Sequence, residues 1–293
     1  MSDLDVPVGD RVLSVRDVGE HDAPMVLHFH GTPSSRLELS GLDDVVRRCG
    51  VRLVTFDRPG YGRSTPAPYG VEEVTDDALA VADALGVGRF AVCGQSGGGP
   101  FALACGALAP DRATAVGVAS GAGPFQLVPG AVQALDETDT AALAHLPGDR
   151  AAAVATLETG CEPIRALLAG DDEAVADAFG SLMSSRDLQV LAHPALRASF
   201  VASTRESLRQ GTSGYAYDNL AWLPDWTFDL ADVHCPVHLW YGTDDRFAPL
   251  AHGRYLADHL PAAHLTVREG YGHLGIMEHL DDVLSTLTGA GAR

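Results

Sequence analysis

A serine among glycines is the first feature of the chain that could do chemistry. Ser96 lies in the segment GQSGG at 94–98, which fits G-x-S-x-G, the pattern of a nucleophile on a sharp strand-to-helix turn. The pattern alone is weak in a chain with 32 glycines. The apolar run 90–93 before it predicts a buried strand, and residues 100–108 after it predict a helix with Pro100 in its first turn. We therefore expect the Ser96 hydroxyl to project from the end of a strand.

A serine nucleophile needs a base, and the base needs an acid that orients it. On this type of turn the chain order is Ser, then Asp or Glu, then His. Asp244 and Asp245 directly follow the predicted strand 237–241, and His273 lies in a glycine-flanked loop after the predicted strand 265–267. Because the chain has 12 histidines, a histidine in a loop is weak evidence by itself. His273 is the candidate base because it follows the last predicted strand. At this point both carboxylates remain candidates for the acid.

The negative oxygen of a tetrahedral intermediate needs backbone N–H donors. The residue after the nucleophile, Gly97, is expected to supply one donor, and the loop after an earlier strand supplies the second. That loop is HGTP at 30–33, in which Thr32 can donate and Pro33 cannot. His28 and His30 on the same strand are an alternative metal pair, but no further ligand lies at useful spacing, so no metal is expected.

The elements that must position these residues alternate between strand and helix patterns. Strands are predicted at 12–15, 25–29, 51–56, 90–93, 113–119, 237–241 and 265–267, and helices at 71–85, 100–108 and about 276–287. This alternation predicts an α/β fold with a mostly parallel sheet and helices on both faces. From about 128 to 211 the sequence is alanine-rich, acidic and helical, which predicts a helical insertion into the sheet domain.

The charge composition excludes several classes of function. The chain of 293 residues has 20 cationic residues, all of them arginine, against 39 acidic residues, for a net charge of −19. Without lysine there is no Walker A loop, no Schiff-base or pyridoxal-phosphate chemistry and no Ser-Lys dyad. The acidic balance argues against nucleic acid or a membrane surface as partner and predicts poor steering of anionic substrates.

The N-terminal residues and the cysteines bear on the cellular compartment of the protein. Residues 1–5 are acidic with no apolar segment, so no signal peptide is expected. The five cysteines are scattered without metal-ligand spacing, which favours reduced thiols in a cytoplasmic protein.

Taken together, the motifs resemble those of the α/β-hydrolase family with a helical cap. The matching segments are HGTP at 30–33, DRPGYGRS at 57–64, GQSGG at 94–98, GTDDRFAP at 242–249 and GH at 272–273. The resemblance implies a central sheet of about eight strands, a core of 1–124 and 214–293, and a cap of 125–213. The family spacing G-x-x-D-x-x-x-P favours Asp245 over Asp244 as the acid, and it implies a structural rather than catalytic role for 57–64.

The resemblance implies a serine hydrolase that cleaves a carboxylic ester, lactone or thioester through an acyl-enzyme. Ser96, Asp245 and His273 would form the triad, Thr32 and Gly97 would form the oxyanion hole, and no cofactor is expected. Epoxide hydrolases and haloalkane dehalogenases place Asp where Ser96 stands, which disfavours both. C–C bond hydrolysis, perhydrolysis and a non-catalytic ligand-binding protein remain as alternatives.

The substrate pocket is expected between sheet and cap and is the least defined part of the prediction. Its expected ligand is a small apolar acyl or lactone compound. Phe125, Met183 and Trp222 are the predicted substrate contacts, and Phe179, Leu182 and Trp226 are further candidates. The alternative is that these side chains only pack the cap helices together.

Overall fold

The strands of the protein join in one mostly parallel sheet. The computed structural model describes residues 2–180 and 183–289, apart from the side chains of 177 and 178. In this part of the chain the strands are β1 (Ser2–Val8), β2 (Arg11–Val18), β3 (Met25–Phe29), β4 (Arg52–Phe56), β5 (Phe90–Gln95), β6 (Ala113–Ala119), β7 (Val237–Gly242) and β8 (Ala263–Arg268). Their order in the sheet is β1-β2-β4-β3-β5-β6-β7-β8. The pairs β1–β2 and β2–β4 are antiparallel and the others are parallel, as the predicted fold class requires.

Helices cover both faces of this sheet. The helices of the described residues are α1 (Asp43–Arg48), α2 (Val71–Ala84), α3 (Gly99–Leu108), α4 (Glu137–Ala144), α5 (Arg150–Leu167), α6 (Asp172–Gly180), α7 (Ser185–Leu191), α8 (Pro194–Ser207), α9 (Ser213–Trp222), α10 (Leu250–His259), α11 (Gly275–Glu278) and α12 (Leu280–Thr288). One apolar cluster joins the sheet to α2, α3 and α10, and another joins it to α1 and α12. Successive residues of β5 enter opposite clusters, Val92 one and Cys93 the other, because side chains alternate along a strand.

The structure contains elements that were not predicted, including β1, α1 and α10, and it divides one that was. The first strand, β1, was not predicted, because it lies at the sheet edge and buries only Val6 fully. It forms a hairpin with β2 through Gly9 and Asp10, with Gly9 at φ 61°. A Gly-Asp pair between two extended runs is a hairpin signal that could have indicated it. The last predicted helix is divided into α11 and α12 at His279, whose backbone (φ −126°, ψ 27°) is not helical.

The segment between β6 and β7 is helical. Its described residues include α4 to α9 and form no strand. Two small apolar clusters lie within it, one around Cys161, Val175 and Val201 and one around Leu157 and Leu220. The division at 125 and 213 stays a prediction. Across the described ranges, no helix has both the length and the apolar character needed to span a bilayer.

Candidate active site

Ser96 occupies the strained turn that the sequence predicts. It follows β5 and precedes α3, and its φ of 53° lies in the left-handed region that side chains other than glycine rarely adopt. The turn closes only because its neighbours lack a Cβ. A Cβ on Gly94 would lie 2.5 Å from the Gly98 carbonyl carbon, and one on Gly98 would lie 2.7 Å from the His30 oxygen. The turn leaves the Ser96 side chain partly exposed, and Ser96 lines a cavity.

His273 and Asp245 meet at the carboxyl ends of β8 and β7. His273 Nδ1 lies 3.1 Å from Asp245 Oδ1 and 2.9 Å from Oδ2. Asp245 Oδ1 also accepts the N–H groups of Phe247 and Ala248, at 2.9 and 3.0 Å, so the loop after β7 holds the buried carboxylate in place. Asp244 is exposed, and its N–H donates to the carbonyl of Tyr271. The geometry therefore pairs His273 with Asp245, the carboxylate that the family spacing favours.

The ion pair shifts the pKa of both partners. Burial alone lowers the pKa of His273, but the charge and hydrogen bond of Asp245 outweigh it, so the pKa of His273 lies above its ordinary 6.5. Burial alone raises the pKa of Asp245, and His273, the backbone N–H of Ala248 and the Ser120 hydroxyl together bring it below its ordinary value. Near neutral pH, Asp245 is therefore an anion beside an imidazole that gains a proton readily.

Ser96 and His273 line the same cavity. Because Nδ1 of His273 is bound to Asp245, Nε2 is the nitrogen left to take a proton from Ser96. The hydrogen bonds between described residues include none from Ser96 to Nε2. Such bonds are often long before substrate binds and tighten in the complex.

The loop after β3 lies directly over Ser96. A Cβ on Gly31 would be 3.4 Å from the Ser96 Cβ, and one on Gly97 would be 2.9 Å from the Thr32 Cβ. Glu38 fixes the loop, because its Oε1 accepts the Gly31 N–H at 2.9 Å. The two backbone segments predicted to form the oxyanion hole, at Thr32 and Gly97, are thus packed against each other beside Ser96.

The histidines considered as a metal pair have other partners. His28 Nε2 lies 2.7 Å from Glu38 Oε2, and His30 Nδ1 lies 2.8 Å from the Gly31 oxygen. Burial, followed by the charge of Arg58, holds the pKa of His30 well below its ordinary value. Within residues 2–180 and 183–289 no group of three or more potential ligands is arranged to bind a metal ion.

Beneath the Thr32 side chain lies a buried ion pair that the sequence did not reveal. Arg58 Nε donates to Asp218 Oδ1 at 2.7 Å, and both side chains are completely buried. Thr32 Oγ1, Tyr61 and Tyr69 donate to the same carboxylate, at 2.5, 2.7 and 2.7 Å. The segment 57–64 thus supplies Arg58 and Tyr61 to the support of the loop over Ser96, while Asp218 on α9 has no local motif that could have indicated it.

The cavity beside Ser96 has a volume of about 100 Å³. Its apolar wall comes largely from the segment between β6 and β7 and from the loops after β7 and β8: Phe179, Met183, Phe200, Phe247, Leu274 and Met277. Met183 is thus a predicted substrate contact that lines the cavity. Phe247, whose ring lies 5.0 Å from that of His273, was not predicted as a contact although it falls within the motif at 242–249.

Of the other candidates, Phe179 also lines the cavity, whereas Phe125, Trp222 and Trp226 do not. Phe125 and Trp222 stack on each other with ring centroids 5.4 Å apart, and Phe125 also packs against His252. Trp226 stacks on Phe228 instead. These rings bury their faces against one another outside the cavity lining, which is the packing role that the sequence left open. Leu182 lies outside the described residues.

The model of the alpha/beta hydrolase fold family matches residues 24–280. The protein belongs to the α/β hydrolase family. This confirms the family and fold that the motifs predict. The match covers the turn that carries Ser96, the loops that carry Asp245 and His273, and the whole helical segment between β6 and β7.

Individual members of the hydrolase family are similar over different lengths. The chain is 31% identical to epoxide hydrolase B of Mycobacterium tuberculosis over 113 residues, covering 37% of this chain and 32% of the relative. The first curated relatives are thus matched over about a third of their length. Proline iminopeptidase of Lactobacillus delbrueckii is 25% identical over 93% of this chain and 92% of its own. The enol-lactonase of Burkholderia xenovorans superposes with a TM-score of 0.67 at 21% identity, over 99% of this chain and all of that structure.

Proposed function

We propose that the protein is a serine hydrolase that cleaves a carboxylic ester, lactone or thioester through an acyl-enzyme. The observation that supports this most directly is the arrangement around one cavity: Ser96 on its strained turn, His273 bonded to Asp245, and the loop at Thr32 packed on Gly97. These are the parts that acyl transfer needs, namely a nucleophile, a base with its orienting acid, and backbone donors for the oxyanion.

In the proposed reaction His273 Nε2 takes the Ser96 proton as Ser96 Oγ attacks the acyl carbon. The N–H groups of Thr32 and Gly97 stabilise the negative oxygen, and the bond to the alcohol breaks as His273 protonates the leaving oxygen. Water then gives a proton to His273 and adds to the acyl carbon. The bond between the acyl group and Ser96 breaks, the acid is released, and Ser96 regains its proton. Asp245 stabilises the imidazolium in both halves of the cycle.

The substrate we propose carries a small, neutral acyl group. The cavity of about 100 Å³ is smaller than the roughly 150 Å³ apolar cavity that holds a benzene molecule. Its wall is mostly apolar, and the Glu38 carboxylate at its side disfavours an anionic acyl group. The alkoxide of an ester or lactone is a better leaving group than the amine of an amide, which favours ester and lactone substrates. We also propose a cytoplasmic protein, since its five cysteines are free thiols.

Perhydrolysis is a second candidate, in which hydrogen peroxide replaces water as the acceptor of the acyl group. A bifunctional esterase/perhydrolase of Acinetobacter calcoaceticus is 36% identical over 86 residues, which cover 29% of this chain and 31% of that protein. Epoxide opening is disfavoured in spite of the related epoxide hydrolase, because Ser96 stands where that chemistry uses Asp. C–C bond hydrolysis would use the same triad, and the identity of the product separates it from ester cleavage. Ligand binding without catalysis would follow from failure of the test below.

Labelling with a fluorophosphonate probe tests the proposal without knowledge of the substrate. We expect one covalent adduct, mapped to Ser96 by mass spectrometry, and hydrolysis of p-nitrophenyl acetate at a rate that the probe abolishes. Ser96→Ala and His273→Ala should remove the adduct. Ser34→Ala is the matched control, because Ser34 lines the same cavity with its hydroxyl bound to Ser203, and this variant should keep the adduct.

The contrary result is equally clear. If the folded protein takes up neither a fluorophosphonate nor a smaller sulfonyl fluoride, or if the adduct maps to another residue, the acyl-enzyme mechanism is wrong. Binding without catalysis would then become the leading candidate.

A further inference from the structure

A buried carboxylate of the helical segment is bonded to the backbone of the His273 loop. Asp187 on α7 accepts the N–H of His273 with Oδ2, at 3.1 Å, and the N–H of Leu274 with Oδ1, at 2.8 Å. Asp187 is 2% exposed. Each carboxylate oxygen thus accepts a hydrogen bond from one of two consecutive backbone N–H groups, 86 and 87 residues away in sequence. One of these N–H groups belongs to the proposed base.

The start of α7 holds this carboxylate in one orientation. Ser184, the residue that caps α7, donates its hydroxyl to Asp187 Oδ2 at 2.9 Å and its backbone N–H to the same oxygen at 3.1 Å. The bond from the Ser184 N–H, together with the Asp187 N–H that donates to the Ser184 hydroxyl at 3.1 Å, forms a capping box, which normally serves the helix alone. Here the same carboxylate serves the helix start and the His273 loop together, so the two are rigidly connected.

Gly272 permits the close approach of α7 to this loop. A Cβ on Gly272 would fall on the Asp187 carboxylate, 2.6 Å from its Cγ. A side chain at 272 would therefore push the carboxylate away from the N–H of His273. The glycine in the motif GH at 272–273 thus has a physical reason, which is room for Asp187.

We propose that Asp187 is a positioning residue, through which α7 sets the place of the His273 imidazole. The inference rests on the proposed function, since it assigns His273 the role of base. The competing view is that Asp187 only fastens α7 to the sheet domain. Arg186 separates the two views, because its bonds to Glu278 at 2.8 and 2.9 Å fasten the same helix without touching the His273 backbone.

The charges around His273 fix the direction of one readout. Asp245, Asp187 and Glu38 all raise the pKa of His273 against the effect of burial, and the ring of Phe247 covers the imidazole without charge. The base works when it is neutral, so kcat/KM rises with pH through the pKa of His273. Loss of the Asp187 charge lowers that pKa, and the rise should therefore move to lower pH.

The test compares Asp187→Asn, Ser184→Ala and Arg186→Gln in the hydrolysis of p-nitrophenyl acetate as a function of pH. In Asp187→Asn one of the two N–H groups faces an amide –NH₂ instead of an oxygen, so His273 is displaced. We expect kcat to fall by up to about 10²-fold with KM nearly unchanged, and the rise in kcat/KM to move to lower pH. Ser184→Ala keeps the carboxylate and should show a smaller loss in kcat. Arg186→Gln should leave the pH of the rise where it is.

Each other outcome overturns the inference in a recognisable way. If Asp187→Asn keeps the wild-type kcat and pH profile, Asp187 only fastens the helix. The same holds if Asp187→Asn and Arg186→Gln raise KM equally and leave kcat unchanged. If Asp187→Asn fails to fold, an unchanged kcat in folded Ser184→Ala has the same meaning. If the wild type neither hydrolyses the ester nor reacts with the fluorophosphonate, the proposed function itself is wrong, and the inference falls with it.

Discussion

In the proposed mechanism, Asp245 is the residue on which the chemistry most depends. Its carboxylate is buried and is bonded to His273 and to two backbone N–H groups. A carboxylate held in this way stays charged and cannot turn away, so it fixes both the orientation of the imidazole and the nitrogen that carries the proton.

Replacement of this carboxylate by an amide should strongly reduce activity, although the side chain changes little in size. In Asp245→Asn we expect kcat to fall by about 10⁴-fold, because the amide cannot stabilise the imidazolium and can present an N–H to Nδ1. The rise of kcat/KM with pH, which lies above pH 6.5 in the wild type because the pKa of His273 is raised, should move down. Rates of p-nitrophenyl acetate hydrolysis across pH test both. Asp244→Asn, which removes the adjacent exposed carboxylate, should keep wild-type turnover; equal losses in the two variants would contradict the assignment.

At the scale of elements, the turn between β5 and α3 is as closely packed as a backbone permits. Gly98 faces the carbonyl oxygens of Phe29 and His30 on β3 and its following loop, so the turn that carries Ser96 and the proposed oxyanion loop are in direct backbone contact. Backbone atoms cannot turn aside as a side chain can. A methyl group at this point must therefore move β3 or the turn.

Gly98→Ala should for this reason destabilise the protein by about 1–3 kcal/mol or more, as overpacking does elsewhere. The control is Gly88→Ala, because a Cβ on Gly88 meets no atom within 4 Å and its φ is not left-handed. Urea unfolding followed by tryptophan fluorescence measures both free energies. If Gly98→Ala is as stable as Gly88→Ala, the turn accommodates a methyl group and the packing argument is wrong.

The elements that carried a local signal were predicted, and those that depend on distant contacts were not. Seven of the strands had apolar runs, and parallel strands end at one edge of a sheet, so the sequence could place Ser96, Asp245 and His273 near one another. Asp218 and Asp187 had no such signal. Their partners lie 160 and 86 residues away, and a lone acidic residue in a helical segment is ordinarily exposed.

At the scale of the whole molecule, the Arg58–Asp218 pair joins the sheet domain to α9. Both side chains are fully buried, and the tyrosines at 61 and 69 donate their hydroxyls to Asp218. Burial, with the negative charge of Asp218 next, raises the pKa of both tyrosines well above the ordinary value, so both remain donors. The network therefore depends on one carboxylate that five hydrogen bonds from four residues share.

Loss of that carboxylate should lower the stability of the molecule as a whole. Asp218→Asn leaves the Arg58 guanidinium buried without a counter-charge, and we expect the free energy of unfolding to fall by about 3–5 kcal/mol. The matched control is Glu162→Gln, which breaks an exposed ion pair with Arg165 and should cost at most about 1 kcal/mol. Urea denaturation measures both, and equal losses would mean that the buried pair contributes no more than a surface one.

The helical segment is attached to both walls of the cavity. Asp187 on α7 binds the His273 loop, and Ser203 on α8 binds Ser34 and Ser35 next to the loop over Ser96. A ligand too large for the cavity has to push these helices outward, and in doing so it strains the contacts that align the reacting groups. If the site works as we propose, an oversized ester would lose turnover beyond the affinity that this strain costs. The protein would then select substrates by the rate of the chemical step. Two substrates bound equally well would differ in kcat, according to how far each disturbs the alignment of the reacting groups.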